Sequence, residues 1–142
     1  MGLGRTTRFA PLPAGSRRVN VMRAGAGGVK ALAPSDELLA EFMARKRALV
    51  RAGTASDAAH SAAHQAMGYR DRYLAEVRAR PDALAALRQL IAEALSGDVY
   101  VMCMCAYRTP GRACHTYALL DLARELDPQL RELPEPAPRA TR

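Results

Sequence analysis

The segment Asp98–Cys105 constrains the fold of this chain more than any other part of the sequence. It reads Asp-Val-Tyr-Val-Met-Cys-Met-Cys, so a strand here carries apolar side chains on both faces. Such a strand belongs at the centre of a sheet that is covered on both sides, as is typical of α/β proteins. A second, valine-rich strand is predicted at Arg18–Met22, and a third is considered at Arg8–Leu12.

Four helices are predicted around these strands from apolar periodicity and capping residues. They are expected to begin at residues 35, 56, 81 and 114 and to end near residues 53, 79, 97 and 127. Gly68 is expected to bend or interrupt the second helix. Strands separated by helices predict a single α/β domain with a small, mostly parallel sheet and covering helices.

The chain divides into three parts by composition. Its 142 residues fit one domain with a substantial hydrophobic core. Residues 1–17 contain few large apolar groups and are predicted to be a basic, irregular segment. Residues 128–142 are rich in proline and are predicted to be disordered. The α/β domain is therefore expected to span residues 18–127.

Basic residues are concentrated at the start of the chain. The net charge is +7, and residues 1–30 hold six basic side chains and no carboxylate. Such a segment is either a solvated arm or a surface for phosphate-bearing partners. No apolar run approaches the ~20 residues of a membrane span, and no secretory signal is recognisable, so a cytoplasmic location without membrane contact is expected.

The three cysteines of the chain fall within 12 residues. Cys103 and Cys105 would point to the same face of a strand, because side chains alternate with a period of two. Cys114 begins the last helix, where unpaired backbone N–H groups and the helix dipole stabilise a thiolate, and His115 lies beside it. This segment is therefore the best candidate for chemistry.

The loop between the strand and the last helix carries Arg108 and Arg112. Ligands of open α/β sheets bind beyond the carboxyl ends of the strands, where loops lead into helix N-termini. The candidate catalytic residues are Cys105, Cys114 and His115, and the candidate substrate-binding residues are Arg108 and Arg112.

Other interpretations of the cysteines remain open. A permanent disulfide is disfavoured in the cytoplasm. A metal site of Cys103, Cys105, Cys114 and His115 lacks the usual spacing of zinc-binding cysteines, so no metal ligand is assigned. The spacings from cysteine to arginine miss those of a phosphatase loop. The cysteines are also compatible with a purely structural role as small hydrophobic residues.

Three further motifs favour structural roles. His60 and His64 share a helical face at a metal-binding spacing, but no third ligand is near and surface histidines are the favoured interpretation. The segment 25–28 is rich in glycine but lacks the rest of a phosphate-binding loop, which indicates a flexible turn. Tyr69 and Tyr73 lie on one helical face and are expected to pack in the core.

The order of the motifs resembles the family catalogued as domain of unknown function 488. Members of that family show a strand ending in Cys-Ala-Glu, a loop with proline, and then Cys-His-Arg before an apolar helix. Cys105-Ala106, Pro110 and Cys114-His115 match this signature. The resemblance implies the fold and the location of the site, and it implies no particular reaction.

The resemblance extends upstream and covers roughly residues 18–127. The segment Leu32-Ala-Pro-Ser35 and the pair Tyr69 and Tyr73 match earlier motifs of the family. Tyr107 stands where the family has Glu, and Thr116 stands where it has Arg. A site that depends on those two side chains would be altered here.

Two functions of different classes are compatible with these observations. The first is a cysteine-dependent enzyme that acts on a phosphate-bearing small molecule or nucleotide. The alternative is a non-catalytic module that binds nucleic acid or another partner through the basic N-terminal segment. The expected partner is thus an anionic small molecule or a nucleic acid, and the sequence identifies neither a cofactor nor an oligomeric state.

Overall fold

The computed structural model describes residues 1–24 and 27–139 and has a three-stranded parallel sheet. The strands are β1 (Gly2–Thr7), β2 (Arg17–Asn20) and β3 (Asp98–Cys103). The strand order is β1-β3-β2, so the strand that the sequence places at the centre is central. Residues 98–103 are buried or nearly so on both faces, which confirms the predicted α/β class.

Five helices in the described residues surround this sheet. They are α1 (Asp36–Arg51), α2 (Ser56–Ala66), α3 (Tyr69–Ala79), α4 (Pro81–Ala94) and α5 (His115–Leu126). Single turns of 3-10 helix occur at Lys30–Leu32 and Pro110–Arg112. No helix in the part of the chain that the structure describes is long and apolar enough to cross a membrane.

Capping residues and a glycine set the ends of three helices. The Ser35 hydroxyl accepts a hydrogen bond from the Leu38 N–H at 3.1 Å and so caps α1. Gly68 adopts a left-handed conformation with φ 62° and separates α2 from α3. The long helix predicted over residues 56–79 is therefore two helices, and the interruption lies at the expected glycine.

The hydrophobic core lies between the sheet and the helices. Val99 and Val101 of β3 pack into the same cluster as Tyr73 of α3, Leu87 of α4 and Leu119 of α5. All five side chains are at most 3% exposed. Because the strands are parallel, their carboxyl ends meet at one edge of this core.

The prediction of an irregular segment over residues 1–17 is wrong for residues 2–7, which form β1. Leu3 pairs with Val99 in the parallel register and is only 1% exposed. A Cβ atom on Gly4 would lie 2.9 Å from atoms of Leu133 and Tyr100, so glycine permits close packing here. The proposed strand at Arg8–Leu12 does not form, and Phe9 is 78% exposed.

The prediction of a disordered tail is wrong for the segment that follows α5. Leu130 and Leu133 are buried. The Leu133 N–H donates to the Leu3 carbonyl at 3.0 Å, so this segment pairs with the outer edge of β1. Local proline content does not show this packing, because the partner lies at the other end of the chain. Residues 140–142 are outside the described residues.

Candidate active site

A cavity of about 470 Å³ lies where the strands end. The ends of β2 and β3, the start of α5 and one side of α1 and α2 surround it. Its lining is mainly apolar, and all three cysteines face it together with His115. This is the position at which parallel α/β sheets bind their ligands.

The three cysteines converge from three consecutive elements. Cys103 ends β3, Cys105 lies in the following loop, and Cys114 precedes α5. Their sulfur atoms all lie within 4.8 Å of one another, and the Sγ atoms of Cys103 and Cys105 are 3.7 Å apart. Cys103 and Cys114 are buried, whereas Cys105 is partly exposed. The cluster is therefore reached from the cavity side.

His115 is held with one ring nitrogen toward the thiols. Its Nε2 lies 2.8 Å from the Val21 carbonyl and so donates to it. This hydrogen bond leaves Nδ1 facing Cys114 Sγ at 3.9 Å and Cys103 Sγ at 4.0 Å. A thiol, an imidazole and a group that orients the imidazole are thus aligned.

The electrostatic environment places negative charge on Cys114. Burial alone would raise the pKa of the Cys114 thiol, but hydrogen bonds with Cys103, Cys105 and His115 outweigh burial and hold this pKa well below its usual value. Burial lowers the pKa of His115, yet its hydrogen bonds with Cys103 and Cys114 raise it to about 10. Hydrogen bonds with Cys103 and then Cys114 raise the pKa of Cys105 far above its ordinary range.

The start of α5 supports the same charge on Cys114. Cys114 is the residue that precedes the first helical turn, where free N–H groups and the helix dipole favour an anion. The Thr116 hydroxyl also donates to Cys114 Sγ at 3.0 Å. The sequence predicted the position of Cys114, whereas the hydroxyl contact follows from the helical turn.

His60 and His64 line the cavity rather than an outer surface. The His60 ring makes an edge contact with Phe42 at 4.9 Å, and the His64 ring stacks on Tyr69 at 4.6 Å between centroids. The interpretation of both histidines as surface residues is therefore wrong. Their shared helical face was visible in the sequence, but only the packing of α1 against α2 shows that this face is turned inward.

A family model described as DUF488-N3a, Active DUF488-N3 subclade, matches residues 13–126. The match spans well over half of the chain. The chain belongs to the DUF488 family. No curated protein and no solved structure matches it at a significant level. The resemblance inferred from the cysteine signature is thereby confirmed.

This DUF488 chain holds a buried arginine behind its cysteine cluster. Arg5 of β1 is 1% exposed, and its Nε donates to Thr116 Oγ1 at 2.8 Å. Its guanidinium also pairs with Glu135 at 2.7 Å and donates to the carbonyls of Cys105 and Ala106. Arg5 thus ties the cysteine loop to the start of α5. The sequence does not predict this role, because Arg5 lies within residues 1–17, which are predicted to be a basic, irregular segment.

Tyr107 and Thr116, which are expected to depart from the family's signature, lie beside that ion pair. Thr116, where Arg is usual, accepts a hydrogen bond from Arg5. The backbone N–H of Arg108, next to Tyr107, donates to Glu135 at 2.6 Å. Arg5 and Glu135, which come from the two ends of the chain, therefore lie next to Thr116 and the loop at Tyr107.

The loop arginines of this DUF488 chain do not line the cavity. Arg112 pairs with Asp121 at 3.3 Å, and its guanidinium lies over the Tyr117 ring. The Arg108 guanidinium lies over the ring of Tyr107 at 5.1 Å. The basic side chains that line the cavity are Lys46 and Arg23.

The basic N-terminal segment is largely engaged within the chain. Its contacts include an ion pair of Arg17 with Glu93 and one of Arg23 with Asp36. Arg18 donates to the carbonyls of the preceding loop, and Lys30 donates to carbonyls after β2. The glycine turn predicted at 25–28 lies partly outside the described residues, since Gly25 and Ala26 are not described.

The tyrosines of α3 contribute to the core, as the sequence predicted. Tyr73 is fully buried, and its hydroxyl donates to the Leu32 carbonyl at 2.6 Å. Tyr69 is 4% exposed and also forms part of the cavity wall. One aromatic side chain therefore serves both the core and the candidate site.

Proposed function

We propose that this DUF488 protein is a cysteine-dependent enzyme that acts on a phosphate-bearing small molecule or nucleotide. Cys114 is its nucleophile and His115 is the group that holds the thiol proton. The alignment of Cys114 Sγ, His115 Nδ1 and the Val21 carbonyl carries this proposal. The description of the matching family model as an active subclade agrees with it.

The chemical step uses Cys114 as a thiolate and His115 in its protonated form. The sulfur of Cys114 forms a bond to an electrophilic atom of the substrate. The bond to the leaving group breaks, and His115 returns its proton to that group. Water or a second substrate then displaces the sulfur and gives its proton to Nδ1 of His115, which restores the thiolate and the protonated imidazole. The helix N-terminus and Arg5 stabilise the thiolate before attack.

The cavity lining supports a substrate with a planar apolar part and an anionic part. Phe42 and Tyr69 contribute apolar surface to the cavity wall, against which a base can pack. Lys46 and Arg23 provide positive charge for a phosphate. In this proposal Lys46 and Arg23 bind the substrate in place of Arg108 and Arg112, the candidates from the sequence.

The decisive experiment measures turnover of nucleoside monophosphates, nucleoside diphosphates and sugar phosphates by mass spectrometry. We expect one class to be converted by the wild-type protein, and conversion to be lost in Cys114→Ser. His115→Gln should lower kcat by at least about 100-fold, the usual contribution of a positioned acid–base group. Lys46→Met should mainly raise KM, because it removes binding to an unreacting phosphate.

A charge variant of the basic segment serves as the control. Arg8→Gln combined with Arg17→Gln removes two exposed charges and leaves β1 intact, so turnover should not change. If turnover is absent, and if this variant instead loses affinity for a polyanion in a salt-dependent manner, the binding-module alternative replaces the enzyme. Deleting the whole segment is not a usable control, because it removes β1 and Arg5.

A further inference from the structure

The cysteine cluster and His115 form a donor set of three sulfur atoms and one nitrogen. Four donors of this kind are the set that zinc takes in closed protein sites. A zinc–sulfur bond of about 2.3 Å places two sulfur ligands about 3.8 Å apart in a tetrahedron. Cys103 and Cys105 have their sulfur atoms 3.7 Å apart, which matches this edge.

The nitrogen lies near its required position as well. His115 Nδ1 is 3.9 Å from Cys114 Sγ and 4.0 Å from Cys103 Sγ. These distances exceed a tetrahedral sulfur–nitrogen edge of about 3.6 Å by less than half an ångström. The three sulfur atoms all lie within 4.8 Å of one another. We expect rotations of the side chains to bring His115 Nδ1 and the three sulfur atoms around one ion.

Neighbouring groups orient the donor atoms for metal binding. The Nε2–H of His115 donates to the Val21 carbonyl, which fixes the tautomer whose Nδ1 binds metal. The Thr116 hydroxyl donates to Cys114 Sγ, and such hydrogen bonds hold a thiolate in position beside a metal ion. Cys105 is partly exposed to the cavity, so an ion has a path from solvent.

We propose that Cys103, Cys105, Cys114 and His115 bind one zinc ion, and that the zinc-bound protein is an inactive form of the enzyme. The regulatory part rests on the proposed function, since zinc occupies the sulfur of the nucleophile and the nitrogen of its base. Four protein donors complete the tetrahedron and leave no open position for substrate. Binding releases the remaining thiol protons and the Nδ1 proton of His115 to solvent, so no other reactant is required.

The zinc site is tested without any substrate. The metal-free protein is titrated with Zn²⁺ in competition with a chromophoric chelator, and with Co²⁺ to detect absorption from thiolate–cobalt charge transfer. We expect one ion per chain. Cys103→Ser and Cys105→Ser should each weaken binding by at least about 100-fold, as loss of a direct ligand exceeds the effect of loss of a second-layer group. Met104→Ser, between the two cysteines, is the matched control and should bind normally.

Circular dichroism of each metal-free variant distinguishes loss of a ligand from loss of the fold. A folded Cys103→Ser protein with weak binding supports the site. Stoichiometry well below one ion per chain, absence of the charge-transfer band, or equal binding by Met104→Ser and both cysteine variants overturns it.

Labelling of Cys114 by iodoacetamide separates this inference from the proposed function. Labelling in the metal-free protein that stops when zinc is added supports both. Labelling that is the same with and without zinc overturns the inactive zinc form and leaves the nucleophile in place. Zinc binding together with complete inertness of Cys114 in the metal-free protein supports the zinc site and contradicts the nucleophile.

Discussion

Arg5 shows how much one side chain contributes to the architecture of the candidate site. Its guanidinium is fully buried and bonds to Glu135, to two loop carbonyls and to the hydroxyls of Thr109, Thr116 and Tyr117. A buried charge is tolerated only when its partners are complete. The cysteine loop, the start of α5 and the C-terminal segment are therefore fixed relative to one another through this residue.

Arg5→Met should lower the free energy of unfolding by about 3–5 kcal/mol, because it leaves the Glu135 carboxylate without its cation in a mostly buried position. Arg17→Met is the matched control. It removes an exposed pair with Glu93 and should cost no more than about 1 kcal/mol. Urea denaturation measures both. Equal losses in the two variants would show that burial of the Arg5 pair contributes nothing.

His64 should remain neutral in the folded protein at mildly acidic pH. Burial lowers its pKa to about 4, against an opposing effect of the charge on Cys114. The unfolded chain takes up this proton near pH 6.5, so the contribution of His64 to stability is complete above pH 6.5 and is lost as the pH falls toward 4.

An NMR titration of the three histidine rings measures this directly, with His64→Gln assigning the signal. A midpoint between 6 and 7 for His64 would mean that its ring is solvated. The variant should also remove part of the decline in stability between pH 6.5 and pH 4.

At the scale of single elements, the turns after the strands fix which side chains reach the cavity. The turn after β2 brings residue 29 back against the end of this strand, where the Val29 N–H donates to the Asn20 carbonyl at 2.8 Å. Gly28 has φ +82°, a conformation that other residues adopt at a cost. Val21 lies at the start of this turn and accepts the hydrogen bond of His115 Nε2. The conformation of the turn therefore affects the orientation of the His115 ring.

Gly28→Ala should destabilise the protein more than Gly15→Ala does. Both glycines have φ +82°, so both variants carry the left-handed strain of about 1–2 kcal/mol. A Cβ atom at Gly28 would lie 2.3 Å from the Asn20 carbonyl oxygen, whereas nothing lies within 4 Å at Gly15. The clash should add about 1–3 kcal/mol. Thermal and urea unfolding of the pair test this, and equal stabilities would contradict the close approach.

On the scale of the whole molecule, the two ends of the chain complete the structure together. β1 pairs with the central strand, and the segment after α5 pairs with the outer edge of β1. Leu133 packs against Gly4, and Glu135 neutralises Arg5. The cavity is therefore supported by residues from both ends of the chain, and Arg5 and Glu135 lie 130 positions apart in the sequence.

Ending the chain after Pro128 should leave little folded protein. It removes Leu130 and Leu133, whose burial stabilises the fold by about 1.5–3 kcal/mol each, and it leaves Arg5 without its carboxylate partner. The total loss approaches the 5–15 kcal/mol that stabilises a typical domain. Ending the chain after Pro136 retains all these contacts and should be neutral. Circular dichroism and urea denaturation compare the two, and equal stability of both would restore the prediction of a disordered tail.

The sequence alone determined the local structure and the chemical character of the central segment. The apolar pattern of residues 98–105 predicted the central strand, because a strand that is buried on both faces is apolar at nearly every position. Capping and glycine signals located the helices, including the break at Gly68. Cys114 and His115 are candidate catalytic residues in the sequence because the start of a helix lowers the pKa of a thiol, an effect that depends only on local structure.

Only the tertiary structure decided which distant residues complete the site. β1 is rich in glycine and threonine and carries an arginine, so its burial depends on β3 and the C-terminal segment rather than on its own composition. His60 and His64 lie in the cavity because α1 and α2 pack with that face inward. Arg5 is a buried ion-pair partner rather than an arm residue, since its surroundings come from residues 105–135. Contacts between residues that are far apart in the sequence depend on the packing of the whole chain, so no local sequence pattern predicts them.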